Sequence, residues 1–298
     1  MLLKKLIKNC PKKLSNIKVK GLSSDTRNLK KGELFFALKG SQNNGEKFVY
    51  HALKKGACAI ISSKENKKNL KIIKVKNVRE CLGKICSKFY FNKPKNIIAV
   101  TGTNGKSSVA DFFHQIFSIN NLPVATIGTL GIKTKKNKKN NLTSPDVISL
   151  HKELKILKEK KIDNVLLEAS SHGLDQGRLN GIKLKAGIFT NLSQDHLDYH
   201  KSLKNYLRAK LILFEKLLTK NSYVITDKNI PQFKQIKQIS QKRQLRKIFV
   251  DKLEQEYDFS KFKLIGNFQK KNLMMAIKAC EVLGLNKKKI SKCFERLK

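Results

Sequence analysis

Tryptophan is absent from the 298 residues, proline occurs five times, and acidic residues are few, 22 Asp and Glu against 64 Lys and Arg. Each shortage excludes something. Scarce proline, 40% apolar residues and a mean hydropathy of -0.41 exclude a proline-rich low-complexity chain and fit a globular one. No apolar run approaches the roughly 20 residues that span a bilayer, so membrane insertion is not expected. Residues 1–14 (MLLKKLIKNCPKKL) lack the sustained apolar segment and small-residue cleavage site of a signal peptide, and a cytoplasmic location is the default. The six cysteines, Cys10, Cys58, Cys81, Cys86, Cys280 and Cys293, form no CxxC pair. With Cys58, Cys86 and Cys280 in apolar contexts, they read as free thiols of a reducing compartment rather than disulfides or zinc ligands.

The formal net charge of +42 would draw anionic partners. Its lysines are spread through nearly every segment, however, and arginine is sparse. Neither the clustered arginine forks nor the aromatic platforms that read nucleic acids are present. Nucleic acid is therefore not the expected partner, and the lysine excess reads as a solvated surface. A nucleic-acid-binding protein remains the rival from a different functional class.

What is present centres on residues 101–108, TGTNGKSS. An apolar run at 97–100 precedes them, and Val109, Ala110, Phe112 and Phe113 follow, which reads as strand, glycine-rich turn and helix start. Gly102 and Gly105 let successive backbone N–H groups face a phosphate. The helix beginning near Lys106 adds its positive end. Lys106 can reach terminal phosphates, and the Ser107 hydroxyl can ligate Mg²⁺. The general phosphate-loop pattern has a glycine where this chain has Val100. The competing reading is a turn over Gly102 to Gly105 with an exposed lysine.

The first 93 residues read as a small α/β domain, with strands at 33–38, 57–62 and 72–75 and helices at 48–55 and 78–90. Asp25 and Arg27 fall on a solvated turn, and residues 91–96 (FNKPKN) read as a linker. A single core is expected over 94–298. There the loop helix runs to 119, and a strand at 124–128 leads to a charged excursion at 133–141. A helix capped by Ser144 or Asp146 then runs through 160. The buried strand 163–169 (DNVLLEA) carries Glu168 at its end. Parallel sheets bind ligands beyond the carboxyl ends of their strands, and a glutamate there needs a partner. A cation or backbone donors would supply one. Residues 170–179 (SSHGLDQGRL) read as a polar loop and 186–190 as a strand. In the amphipathic helix at 203–218, Lys210 lies beside the apolar stripe and reads as a surface lysine. Strands at 223–226 and 247–250, with a helical excursion between them, and helices after Gly266 and at 290–297 complete the pattern.

The segments SDTRNLKKGELFFALKG, GTNGKSS, LTSPD, EASSHGLDQGRL, FTNLSQDHLDYHKSLKNYLRAK and LIGNFQKKN, in this order along the whole chain, resemble the muramyl ligase family. The resemblance implies an α/β fold class. A small N-terminal α/β domain (1–93) would bind a uridine-nucleotide substrate, followed by a P-loop, mostly parallel-sheet ATP-binding domain (94–298). It implies that Ser24, Thr26, Ser41, Gln42 and Asn43 hold the uridine end of the substrate. Thr143, Ser144, Ser170, Gln176 and Arg178 would hold its muramoyl-dipeptide portion. Gly102, Thr103, Asn104, Gly105, Lys106, Ser107, Ser108 and Asn272 would bind ATP, and Ser107, Glu168, His196 and Lys210 would ligate Mg²⁺. Lys210 would carry a CO₂-derived carbamate, which turns a cation into an anionic oxygen ligand and reverses its reading as a surface lysine. Lys106, Glu168, His196 and Lys210 are then the catalytic set.

The implied cofactors are ATP and Mg²⁺, and the implied partners are UDP-N-acetylmuramoyl-dipeptide and a free amino acid, with the protein a monomer. The implied reaction is ATP-driven amide formation through an acyl phosphate, adding meso-diaminopimelate or L-lysine as third residue. Gln269 stands where the family commonly has asparagine, and Thr143-Ser144 keeps both hydroxyls of a common Thr-Thr pair. Family members carry a further C-terminal Rossmann-like domain for the incoming amino acid, and these 298 residues are read as lacking it. The alternatives are a partial, inactive nucleotide-binding protein and a folate polyglutamate ligase.

Overall fold

Strand and helix alternate in two stretches of the chain, and each stretch builds a largely parallel sheet. The computed structural model describes residues 1–40, 44–65, 71–128, 131–134, 138–139 (backbone alone), 145–251, 256–260, 262 and 266–297. Met1–Phe91, Asp146–Lys152 and Asn180–Ile182 form one unit; Asn92–Pro145, Glu153–Leu179 and Lys183–Lys298 form the other.

The first unit holds a parallel sheet of order β1-β2-β3-β4, with β1 at Gly21–Ser23, β2 at Glu33–Phe36, β3 at Ala59–Ser62 and β4 at Ile72–Lys74. Helices α1 (Leu3–Leu6), α2 (Val49–Lys54) and α3 (Val78–Phe89) accompany it. Its strands are apolar at consecutive positions because both faces are covered. Leu34, Phe36 and Ile61 share a core with Leu82 and Ile85 of α3, whereas Phe35 and Ile60 join Ala52 of α2. The sequence pattern signals neither α1 nor β1, which are too short to display a period.

The second unit carries an eight-stranded sheet of order β12-β11-β10-β5-β9-β6-β7-β8. The strands are β5 (Asn96–Thr101), β6 (Val124–Gly128), β7 (Gly131–Thr134), β8 (Lys138–Lys139), β9 (Asn164–Glu168), β10 (Leu184–Phe189), β11 (Leu218–Thr226) and β12 (Arg246–Phe249). From β12 to β6 all neighbours are parallel, and β7 and β8 add an antiparallel edge. That edge occupies part of the charged excursion, of which residues 135–137 and 140–141 lie outside the described residues. Helix α4 (Lys106–Ile119) rises from the end of β5. Its Phe113, Ile116 and Phe117 share the main core with Leu273, Ile277 and Cys280 of the helix Asn267–Val282. Cys86, Cys280 and Cys293 are buried free thiols, while Cys58 is partly buried.

Helix α5 (Val147–Glu159) starts as the capping reading anticipates, with Asp146 Oδ1 accepting from the backbone N–H groups of Ile148 and Ser149 at 2.9 and 3.2 Å. Residues 170–179 are not simply a loop. Ser170 Oγ accepts from Gly173 N at 3.0 Å and starts the short helix α6 (Ser171–Asp175). After α7 (Leu197–His200), the expected helix over 203–218 divides. Its first part is α8 (Leu203–Ile212), a π-helical turn follows at Leu213–Leu217, and Leu218 opens β11. Helix α9 (Phe233–Lys242) fills the excursion before β12. Among the described residues no helix is long and apolar enough to cross a membrane.

The order of strands determines where a ligand can enter. The chain leaves β5 for β6 on one side, with β9 later inserted between them, and then crosses to β10 on the other side. At such a reversal the connections diverge and leave a crevice beyond the carboxyl ends of the strands. Strands β5, β9 and β10 end there in Thr101, Glu168 and Phe189.

Candidate functional site

The glycine-rich loop occupies this crevice. Gly105 has φ of 84°, in the left-handed region, and a Cβ there would collide with the side-chain oxygen of Asn272. A Cβ on Gly102 would collide with Thr190 Oγ1. Both glycines therefore let neighbouring side chains close on the loop. Asn272 is buried and donates from Nδ2 to Gln269 Oε1 at 3.2 Å, so the residue that departs from the family pattern supports the one that keeps it. A cleft of about 500 Å³ opens beside the loop, bordered by Asn104, Gly105, Asn191, Asp227, Lys271 and Asn272 among others.

Two lysines meet at one backbone carbonyl. Lys106 Nζ donates to Gly102 O at 3.0 Å and to Thr103 O at 2.8 Å, while Lys210 Nζ donates to the same Gly102 O at 2.7 Å. Lys210 is 1% exposed, which corrects its reading as a surface lysine: its amine turns inward onto Gly102 O and the Tyr206 ring. Its amine lies 4.2 Å from the ring centroid of Tyr206, whose hydroxyl is 3.3 Å from Thr103 Oγ1. Burial, and after it the Lys106 charge, push the Lys210 amine down to about 7. Burial also lowers Lys106, although Glu168 and Asp195 oppose the shift.

Across from the lysines, Glu168 is 9% exposed and its Oε2 accepts from Ser107 Oγ at 2.8 Å. Strand pairing sets this juxtaposition, because Val100 of β5 lies in register with Glu168 of β9. Gly128, ending β6, leaves room for the carboxylate, which a Cβ would strike. His196 lies on the segment after β10 with φ of 52°, a left-handed conformation uncommon outside glycine. Its backbone N–H donates to Asp195 Oδ1 at 2.9 Å, and its ring meets that of His172 edge to face at 4.9 Å between centroids. Burial first, then His196, lower the basicity of His172. Among the described residues no group of three His, Cys, Asp or Glu side chains is placed to hold a metal ion.

The structure brings Lys106, Ser107, Glu168, Lys210 and Asn272 together around the loop. Arg178 donates from Nε and Nη2 to Gln176 Oε1 at 3.1 and 2.8 Å, so these two residues act as one polar group, and Ser170 is the cap of α6. Ser24 and Thr26 belong to the first unit, where Thr26 is buried and its carbonyl accepts from Lys55 Nζ at 2.8 Å. Ser41, Gln42, Asn43, Thr143 and Ser144 lie outside the described residues. Sequence reasoning missed Thr190, Asn191, Ser193 and Tyr206. Thr190 Oγ1 donates to Asn104 O at 2.6 Å, and Ser193 N donates to Thr103 Oγ1 at 3.0 Å. The available signal was position: the first three follow directly on an apolar run that forms a parallel strand.

Residues 100–280 match the Mur ligase middle domain, and residues 18–90 match the catalytic domain of the Mur ligase family. The chain belongs to the Mur ligase family. This Mur ligase chain is 39% identical over 297 residues to the UDP-N-acetylmuramoyl-L-alanyl-D-glutamate--2,6-diaminopimelate ligase of Rickettsia montanensis, covering 90% of the chain and 61% of that relative. It is 41% identical over 219 residues to the ligase of the same name from Brucella melitensis, with 72% and 45% covered. The chain thus spans about 61% of the length of the Rickettsia relative. A solved structure bearing the same ligase name superposes with a TM-score of 0.85 at 26% identity, covering 100% of this chain and 67% of the other. The MurF ligase of Thermotoga maritima, at 18% identity and a TM-score of 0.59, shares the fold over 91% of this chain and 65% of its own.

Proposed function

We propose that this Mur ligase chain holds ATP and UDP-N-acetylmuramoyl-L-alanyl-D-glutamate for ATP-driven amide formation with 2,6-diaminopimelate. Residues 94–298 serve the nucleotide and residues 1–93 the uridine end of the substrate. The observation that carries the reading is the convergence of Lys106, Lys210, Ser107 and Glu168 on a glycine-rich loop at the sheet's reversal point. The names of the relatives supply the substrate and the acceptor.

In the reaction, a D-glutamyl carboxylate oxygen attacks the γ-phosphorus of ATP and ADP leaves. The acceptor amine then attacks the acyl carbon, loses its proton and expels inorganic phosphate. The loop amides and the positive end of α4 bind the phosphates. Lys106, now turned onto carbonyls of its own loop, exchanges them for phosphate oxygens and offsets charge during transfer. Gln176 and Arg178 orient the substrate carboxylate, a positioning effect. The hydroxyl of Ser107 and the carboxylate of Glu168 are hard oxygen donors that suit Mg²⁺, and His196 and Lys210 complete the proposed set. When bound, the metal supplies charge neutralisation at the phosphoryl oxygens. Lys210 fits this role as a carbamate: a buried amine lowered to about 7 offers the neutral nitrogen that attacks CO₂ and releases a proton.

Positional isotope exchange in ATP labelled at the β,γ-bridge tests the reading. With the UDP substrate present, the wild-type chain scrambles the label and Lys106→Ala does not. Exchange retained in the variant removes Lys106 from phosphoryl transfer, and no exchange in the wild type removes the ligase reading for this chain.

A further inference from the structure

The segment after β10 also reaches into the loop. Asn104, between the two loop glycines, donates its backbone N–H to Asn191 Oδ1 at 3.0 Å, and its carbonyl accepts from Asn191 Nδ2 at 3.3 Å. One planar side-chain amide thereby pairs with both main-chain polar groups of a single residue, as an adjacent strand would. The carbonyl of Asn191 accepts from Thr103 N at 3.0 Å, and Thr190 N donates to Thr101 O at 3.0 Å. Paired registration of β5 with β10 reaches Thr101 and Phe189. Asn191 extends that pairing beyond both strands into the loop.

This pairing has a consequence for ligand binding. The Asn104 N–H is committed to Asn191, so the amides available to an anion are those that follow it, at the first turn of α4, where a helix has no internal acceptors for them. We propose that Asn191 is a positioning residue for the phosphate loop: it fixes Asn104 before nucleotide arrives, and with it the left-handed turn at Gly105 and the direction of the first α4 amides. The inference rests on the nucleotide reading of the loop. Only an amide serves here. In an aspartate both oxygens accept, so one would face Asn104 O without a proton between them. Alanine would leave the Asn104 N–H to water and its carbonyl to Thr190 Oγ1 alone.

Amide hydrogen exchange and calorimetry on the full chain test this proposal. In the unliganded wild type the Asn104 amide is expected to exchange about tenfold or more slower than in an open chain, and Asn191→Ala removes that protection. Mg·ATP affinity falls about tenfold in Asn191→Ala and roughly 100-fold in Asn191→Asp, while affinity for the UDP substrate stays within about twofold. Variants that bind Mg·ATP within about twofold of the wild type overturn the inference alone. So does open-chain exchange of Asn104 in the wild type, a result that needs no variant to fold. A wild-type chain that takes up no Mg·ATP overturns the nucleotide reading and the inference with it.

Discussion

Among the described residues, the buried polar groups at the carboxyl ends of the four-stranded sheet are hydroxyls, whereas at those of the eight-stranded sheet several are ionisable. Ser23 ends β1 and donates from Oγ to Asp25 O, and Ser62 ends β3 and donates to the Glu46 carboxylate. At the larger sheet, Glu168, Lys210 and Asp227 are 9%, 1% and 2% exposed. Both sheets are parallel at these strands, so strand direction alone does not distinguish them. The difference lies in cost. A buried hydroxyl is satisfied by one local partner, but a desolvated charge costs several kcal/mol unless matched. Lys106 and Lys210 both rest on one neutral carbonyl, so on the proposed reading the loop's cationic Lys106 would take its counter-charge from a bound polyphosphate.

The comparison breaks first at the lysines. Lys106→Ala is expected to lower turnover by about 10³-fold or more with the circular dichroism spectrum unchanged, and an effect under about tenfold would place the larger sheet's crevice on a par with the smaller one. Lys210→Ala should cost about 10²-fold, and the loss should be matched by disappearance of a carbamate carbon signal when the chain is equilibrated with ¹³C-labelled CO₂. Gly128→Ala, which drives a methyl group into the Glu168 carboxylate, should lower turnover roughly tenfold and raise the Mg²⁺ concentration needed for half-maximal activity.

A smaller effect concerns pH. Unmodified Lys210 is lowered from its ordinary 10.5 to about 7, so between these values the unfolded chain holds a proton that the folded chain has lost. Stability must then rise with pH through that window, and the full penalty of charging the buried amine applies below it. In CO₂-free buffer the wild type should gain on the order of 1–2 kcal/mol from this group between about pH 7 and 9, a component that Lys210→Met removes. Parallel denaturation midpoints for wild type and variant across that range would show the component absent. Smallest of all, Ser62→Ala in the first unit should cost about 1 kcal/mol of stability and leave Mg·ATP affinity unaltered.

Local features of the fold and site were legible in the sequence, and those that depend on distant contacts were not. The strand, glycine-rich turn and helix start at residues 97–113 were legible because an apolar run, two glycines and a second apolar run stand at that spacing. Glu168 was visible at the end of an apolar run, and Asp146 was visible as a cap. Lys210 was misread from pattern alone because its amine is partnered by Gly102, 108 residues away, a contact that no helical period reveals. Only the family resemblance reversed that reading. The Asn191–Asn104 pairing joins residues 87 apart, across strands adjacent in the sheet but not in the chain. The capped turn α6 escaped because a serine-rich, glycine-punctuated stretch favours loops and helix starts alike.

Calorimetric titration of the 298-residue chain with Mg·ATP, wild type beside Lys106→Ala, bears most directly on the claim that the larger sheet's crevice is a nucleotide site. The account predicts saturable one-to-one uptake by the wild type and affinity at least about tenfold weaker in the variant. No uptake by the wild type, or equal uptake by both, would contradict it.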